Sequence, residues 1–129
     1  LHLTVVQKPE ILAQINAAFQ KAVGDPNMQV TYGAPTVIYV SCKNEDEEIV
    51  KGCNAGVVME NMLLEAADLG LGAVYLFGVS QVLFANEEIT KLLQIPEGFR
   101  TVSAIAVGTS ADALQERTLG TDKISTTTL

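Results

Sequence analysis

The stretch from Ala55 to Leu69 constrains this chain more than any other. Val57, Val58, Met59, Met62, Leu63, Leu64, Ala66, Ala67 and Leu69 cover most of a helix circumference, with Glu60, Glu65 and Asp68 as the main polar relief. A helix apolar on nearly all sides must be buried on nearly all sides. The chain has 129 residues, and a domain of that size buries too small a fraction of its surface to enclose a whole helix easily. A second copy covering the remainder is the economical solution, which predicts a homodimer. A central helix in a compact monomer is the alternative.

Charge narrows the partners. Eight Lys+Arg against fifteen Asp+Glu leave a formal charge of -7, which disfavours phosphate backbones and anionic lipid surfaces, so neither nucleic acid nor membrane is expected as a partner. No run of apolar residues reaches the roughly 18 needed to span a bilayer. The two cysteines, Cys42 and Cys53, are too few for a disulfide framework and lack metal-ligand spacing. With His2 as the single histidine, a His-based metal site or a Ser-His triad is implausible. Catalysis by side chains alone has little to work with. The chain opens at Leu1 on strand-like residues with no signal-peptide pattern, which predicts a single domain over 1–129, truncated at its N-terminus and cytoplasmic.

Along the chain, His2 to Val6 reads as a strand. Pro9 suits a first helical turn, and Ile11, Leu12, Ile15, Ala18, Phe19 and Ala22 recur at helical spacing up to a stop at Gly24. Tyr32 to Pro35 is a turn into an interior strand over Thr36 to Val40. The acidic run Glu45 to Glu48 reads as a solvated loop or helix start. After the apolar helix, Gly70-Leu71-Gly72 follows a helix and opens a strand, the reverse of a dinucleotide-binding loop, so a left-handed helix cap is expected there. Ala73 to Phe77 reads as a strand closed by Gly78. A glycine at that edge lets a flat ligand approach the backbone; a plain turn glycine is the alternative. Asn86 should cap a helix to Leu93, Pro96-Glu97-Gly98 is a turn, Arg100 to Val107 a strand, and the residues from Ser110 a polar tail. The order β-α-β-α-β-α-β predicts a sheet with helices on its faces.

Five segments now form an ordered series: Tyr32-Gly33-Ala34-Pro35-Thr36-Val37-Ile38, Asn54 to Ala67, Leu69-Gly70-Leu71-Gly72-Ala73, Leu92 to Phe99, and Ala104-Ile105-Ala106-Val107-Gly108. In that order and spacing the chain resembles the nitroreductase-like family of FMN-dependent oxidoreductases. The resemblance implies an α+β fold, with a mixed, mainly antiparallel sheet flanked by helices and a long buried central helix matched by Ala55 to Leu69. It also implies two interlocked subunits with FMN at their interface. Gly78 matches the residue whose N–H can hydrogen-bond flavin N5; Tyr75, Leu76 and Phe77 match residues lining the ring. Arg117 matches a basic residue near the FMN phosphate, with Lys123 a weaker match.

The implied activity is hydride transfer from NADH or NADPH, through FMN, to nitroaromatics, quinones or similar electron-poor acceptors, with no catalytic side chain and no metal. The family's Arg-Ser-x-Arg-type phosphate motif and its Asn or Gln donors to the ribityl chain do not occur in these residues, and Asn54 stands where Asp is common. The alternative is a truncated, non-catalytic dimer that binds flavin weakly or not at all.

Overall fold

The structure, a computed structural model, describes residues 1–83, 86–113, 116, 118, 120 and 123–129. In chain order its elements are β1 (His2–Val6), α1 (Pro9–Val23), β2 (Thr36–Lys43), α2 (Glu48–Asp68), β3 (Gly72–Tyr75), α3 (Phe77–Leu83), α4 (Glu87–Leu92) and β4 (Phe99–Gly108). The four strands form one sheet in the order β1-β2-β4-β3, and every pairing is antiparallel. That agrees with a mainly antiparallel sheet flanked by helices.

Helix ends follow local chemistry. Pro9 stands in the first turn of α1, where its missing N–H costs nothing, and Gly24 closes the helix at φ 74° with its N–H on Gln20 O. At the end of α2, Gly70 takes φ 70°; its N–H bonds Ala67 O and the Leu71 N–H bonds Ala66 O. This is the paired Schellman closure expected from the Gly70-Leu71-Gly72 stretch. Asn86 caps α4, its side chain accepting from the N–H groups of Glu88 and Ile89.

Two layers of side chains sandwich the sheet. On one face Val37, Tyr39, Ala104 and Ala106 pack with Ile15 and Phe19 of α1, Val79 of α3 and Ile89 of α4. On the other, Val40 and Ile105 pack with Ala55 and Met59 of α2. Fully buried side chains of the size of Ile105 and Met59 contribute about 1.5–3 kcal/mol each. The β2–β4 register slips once: Val40 faces Ser103 and Ser41 faces Thr101, so Val102 is an extra residue in β4. Tyr32 (φ 54°) and Gly33 (φ 71°) make a two-residue left-handed turn, closed by the Ala34 N–H on Thr31 O, that brings Pro35 against the end of β4. A Cβ on Gly108 would stand 2.8 Å from Pro35 Cδ, so the approach requires glycine there.

Three expectations need correction. The apolar helix starts at Glu48, seven residues before Ala55 (55 − 48), because Gly52 and Asn54, both poor helix formers, mask a start that the buried Lys51 and Ala55 secure by packing. The strand expected over Ala73 to Phe77 ends at Tyr75. Gly78 does not close that strand in a turn; it lies in the first turn of α3, a helix absent from the expected order. This seven-residue helix carries no polar capping signal in its sequence and is held by its packing on β4 and α1.

The central helix is long, at 21 residues, and its own chain buries one face of it. Lys51, Ala55, Met59 and Ala66 are buried, whereas Ile49, Val57 and Leu64 are 72%, 63% and 60% exposed. Among the described residues, no helix is long and apolar enough to cross a membrane.

Candidate functional site at the end of β3

β3 leaves the sheet at Tyr75, and the Leu76 N–H makes one further bond to Ala104 O at 2.8 Å before α3 begins at Phe77. Alternation along the strand then divides the predicted residues. Tyr75 pairs with Ile105 and so lies on the α2 side of the sheet. Leu76 points into the opposite layer and is buried there, so only its main chain can face a ligand at this edge. Phe77 turns back to Tyr75, their rings meeting edge to face at 5.9 Å and 69°. Both stay open to solvent, Phe77 at 56% and Tyr75 at 39%. An exposed aromatic pair of this kind is a candidate surface for a flat, apolar ligand.

Gly78 follows directly. It is exposed, and a Cβ built on it meets nothing within 4 Å. Its backbone is not in the left-handed region, so nothing among the described residues demands glycine there. As the second residue of α3, it also belongs to the first turn, whose N–H groups have no partner inside the helix. Tyr75, Phe77 and Gly78 are thus brought together, with Leu76 contributing backbone. Arg117 lies outside the described residues. Lys123 is exposed in the tail.

A second polar cluster escaped the sequence reading. At the start of α2, the side chain of Lys51 is buried and its Nζ donates to Asn44 O at 2.9 Å and Glu48 Oε1 at 3.1 Å. Glu48 also pairs with Arg100. Hydrogen bonds from Lys51 first and Arg100 second hold the Glu48 carboxyl below its ordinary range. Burial pushes the Cys42 thiol up, and its Sγ lies 3.8 Å from Lys51 O. The i,i+3 spacing of Glu48 and Lys51 was the available signal. The rest of the acidic run stays solvent-facing, Glu45 pairing with Lys43 at the surface. His2 packs edge-on against Phe99 at 6.2 Å. No group of three or more metal-ligating side chains occurs among the described residues.

An open groove between α1 and the 31–35 turn is a poorer candidate. Three of its amides are engaged within the fold: Gln7 donates to Thr36 Oγ1, Gln20 donates to Met28 O, and Asn16 accepts from the Val30 N–H.

Residues 2–109 match the sequence profile of the Nitroreductase family. The chain belongs to this family. A relative in Methanothermobacter thermautotrophicus, provisionally named as an NADH dehydrogenase/NAD(P)H nitroreductase, is 33% identical over 115 residues, covering 86% of this chain and 56% of the relative. The chain therefore spans about half the length of that curated relative. Among solved nitroreductase structures, the FMN-bound protein of Bacteroides fragilis superposes with a TM-score of 0.80 at 22% identity, over 98% of this chain and 75% of that one. The FMN-bound protein of Desulfitobacterium hafniense gives a TM-score of 0.76 at 20% identity, over 98% and 74%. An FMN-dependent nitroreductase of Clostridium difficile gives 0.72 at 22%, over 98% and 77%. At these identities the superpositions establish a shared nitroreductase fold.

Proposed function

We propose that this nitroreductase-family chain acts as a homodimeric FMN-dependent oxidoreductase, with the flavin ring held at the end of β3. The observation that carries the proposal is the exposed Tyr75–Phe77 pair beside the unobstructed backbone of Gly78. A planar ring fits that surface: the aromatic edges supply apolar contact, and the space where a Cβ would stand at Gly78 is open. The names of the FMN-bound and FMN-dependent nitroreductases support the choice of ring.

When bound, FMN would accept hydride from NADH or NADPH and deliver reducing equivalents to nitroaromatics, quinones or related electron-poor acceptors. The chain's own work is binding and orientation. Gly78 offers its N–H to flavin N5 and keeps the approach free of side-chain atoms. Tyr75 and Phe77 line the ring, and the main chain of Leu76 fixes the spacing between them through its bond to Ala104 O. The family resemblance assigns the phosphate to Arg117, with Lys123 second. The dimer rests on the uncovered apolar face of α2, which its own chain leaves to a partner.

Protein purified with added FMN should keep flavin absorbance through gel filtration, elute as a dimer, and oxidise NADH or NADPH when a quinone is added. Complete loss of flavin on the column from a well-folded dimer would instead favour the truncated, non-catalytic reading.

A further inference from the structure

The groove between α1 and the 31–35 turn has a volume of about 410 Å³, within the range of small-molecule sites. None of the side chains lining it is charged, so it offers an anion such as a flavin phosphate no cation. One wall is a face of α1 carrying Asn16, Ala17 and Gln20, and the other is the turn with Thr31 and Pro35.

Thr31 is only 6% exposed, and no described residue hydrogen-bonds its hydroxyl. A buried hydroxyl without a partner is costly to the fold. The hydroxyls of Thr4, Tyr39 and Ser103 are unpartnered too, but they are sealed inside. That of Thr31 is not sealed, and its residue lines the groove. Its partner is whatever occupies the groove.

The fold engages one end of each neighbouring amide and thereby fixes which end stays free. Asn16 Oδ1 accepts from the Val30 N–H at 3.0 Å, which leaves its Nδ2 protons to donate. Gln20 Nε2 donates to Met28 O at 2.9 Å, which leaves its Oε1 to accept. These residues stand one helical turn apart, with about 5–6 Å between Cβ atoms. A donor and an acceptor thus lie side by side on one wall, facing a hydroxyl that can play either part. A carboxamide carries the matching pair, a carbonyl oxygen that accepts and an N–H that donates. Pro9, Leu12 and Pro35 supply apolar surface for the rest of such a molecule.

We propose that this groove is a second ligand site, taking an uncharged small molecule that bears a primary carboxamide on an apolar body. The carbonyl accepts from Asn16 Nδ2 and from the Thr31 hydroxyl, and the amide N–H donates to Gln20 Oε1. Carboxylates are turned away by the lack of a cation in the groove and by the chain's net charge of -7. The site uses none of the residues assigned to the flavin, so it stands apart from that reading.

Benzamide titrated into the isotope-labelled full chain, with FMN present, tests this by amide correlation spectra. Acetophenone is the comparator, with the same ring and carbonyl but a methyl group in place of NH2. Benzamide should give saturable shifts at the Asn16 side-chain NH2 and the Thr31 amide, and acetophenone should bind at least about threefold more weakly. Thr31→Val should weaken benzamide about three- to tenfold, and Thr31→Ser should restore it. Because the hydroxyl has no partner in the fold, Thr31→Val should unfold at the wild-type temperature or above it. Equal binding of acetophenone, unchanged benzamide affinity in Thr31→Val, or no saturable shift at either residue would each overturn the inference. A Thr31→Val protein that unfolds earlier would overturn it as well, by showing that the hydroxyl is engaged within the fold. None of these failures touches the flavin site, whose own test is retention of FMN.

Discussion

Position 78 separates a requirement of the fold from a requirement of the ligand. Gly78 is exposed, its Cβ position has no neighbour within 4 Å, and its φ is not left-handed. Gly78→Ala should therefore stabilise the flavin-free protein, because alanine restricts the unfolded chain at a position where the folded backbone accepts it. Such changes are worth about 0.4–1 kcal/mol, or about 2–4 °C in Tm for a chain of this length. FMN should respond in the opposite direction. A methyl group in the ring's approach removes a hydrogen bond whose donor remains in place, costing about 1–3 kcal/mol, or roughly 5- to 150-fold in affinity. Gly78→Val, with more bulk in the same open space, should abolish flavin retention. Thermal unfolding of flavin-free protein and fluorescence titration with FMN measure the two effects separately. A less stable flavin-free Gly78→Ala protein would refute the openness of the position. Unchanged FMN affinity in Gly78→Val would refute its place against the ring.

Other changes probe the scaffold. Asn86→Ala deletes the acceptor for two α4 N–H groups and should lower stability by about 1 kcal/mol in urea titrations. Tyr39 is fully buried, and its hydroxyl has no hydrogen-bond partner among the described residues; Tyr39→Phe should leave unfolding free energy unchanged or raise it by about 1–3 kcal/mol. The Glu48 carboxyl is held down in the folded state, so its contribution is present above its unfolded pKa and is lost as pH falls through the lower folded value. Glu48→Gln should accordingly flatten the stability profile on the acid side of the ordinary carboxylate range, as followed by denaturant midpoints.

Elements with local punctuation were legible in the sequence: α1 between Pro9 and Gly24, the α2 closure at Gly70, and α4 behind Asn86. Those set by packing were not. α3 carries apolar residues at both periods and no cap, so Phe77 and Gly78 read as the end of a strand. The resemblance grouped Leu76 with the residues lining the ring; alternation places its side chain in the core and leaves its main chain at the edge. The Lys51–Glu48–Arg100 cluster joins residues 52 positions apart, and only sheet register brings its far member in. The oily character of α2 was plain from composition, and its uncovered side is the surface on which the proposed assembly depends.

The extra residue in β4 has a wider effect than its length suggests. Before Val102 the strand faces alternate one way, and after it the other, so Arg100 comes opposite Cys42 on the α2 side. Were the intact strand paired regularly, with Ser41 facing Val102 and Cys42 facing Thr101, residues 99 to 101 would exchange sides, sending the guanidinium toward α1 and the Phe99 ring into its place. The bulge at Val102 thus decides that the first turn of the longest helix is anchored by a cation, tying that end of α2 to the sheet behind it.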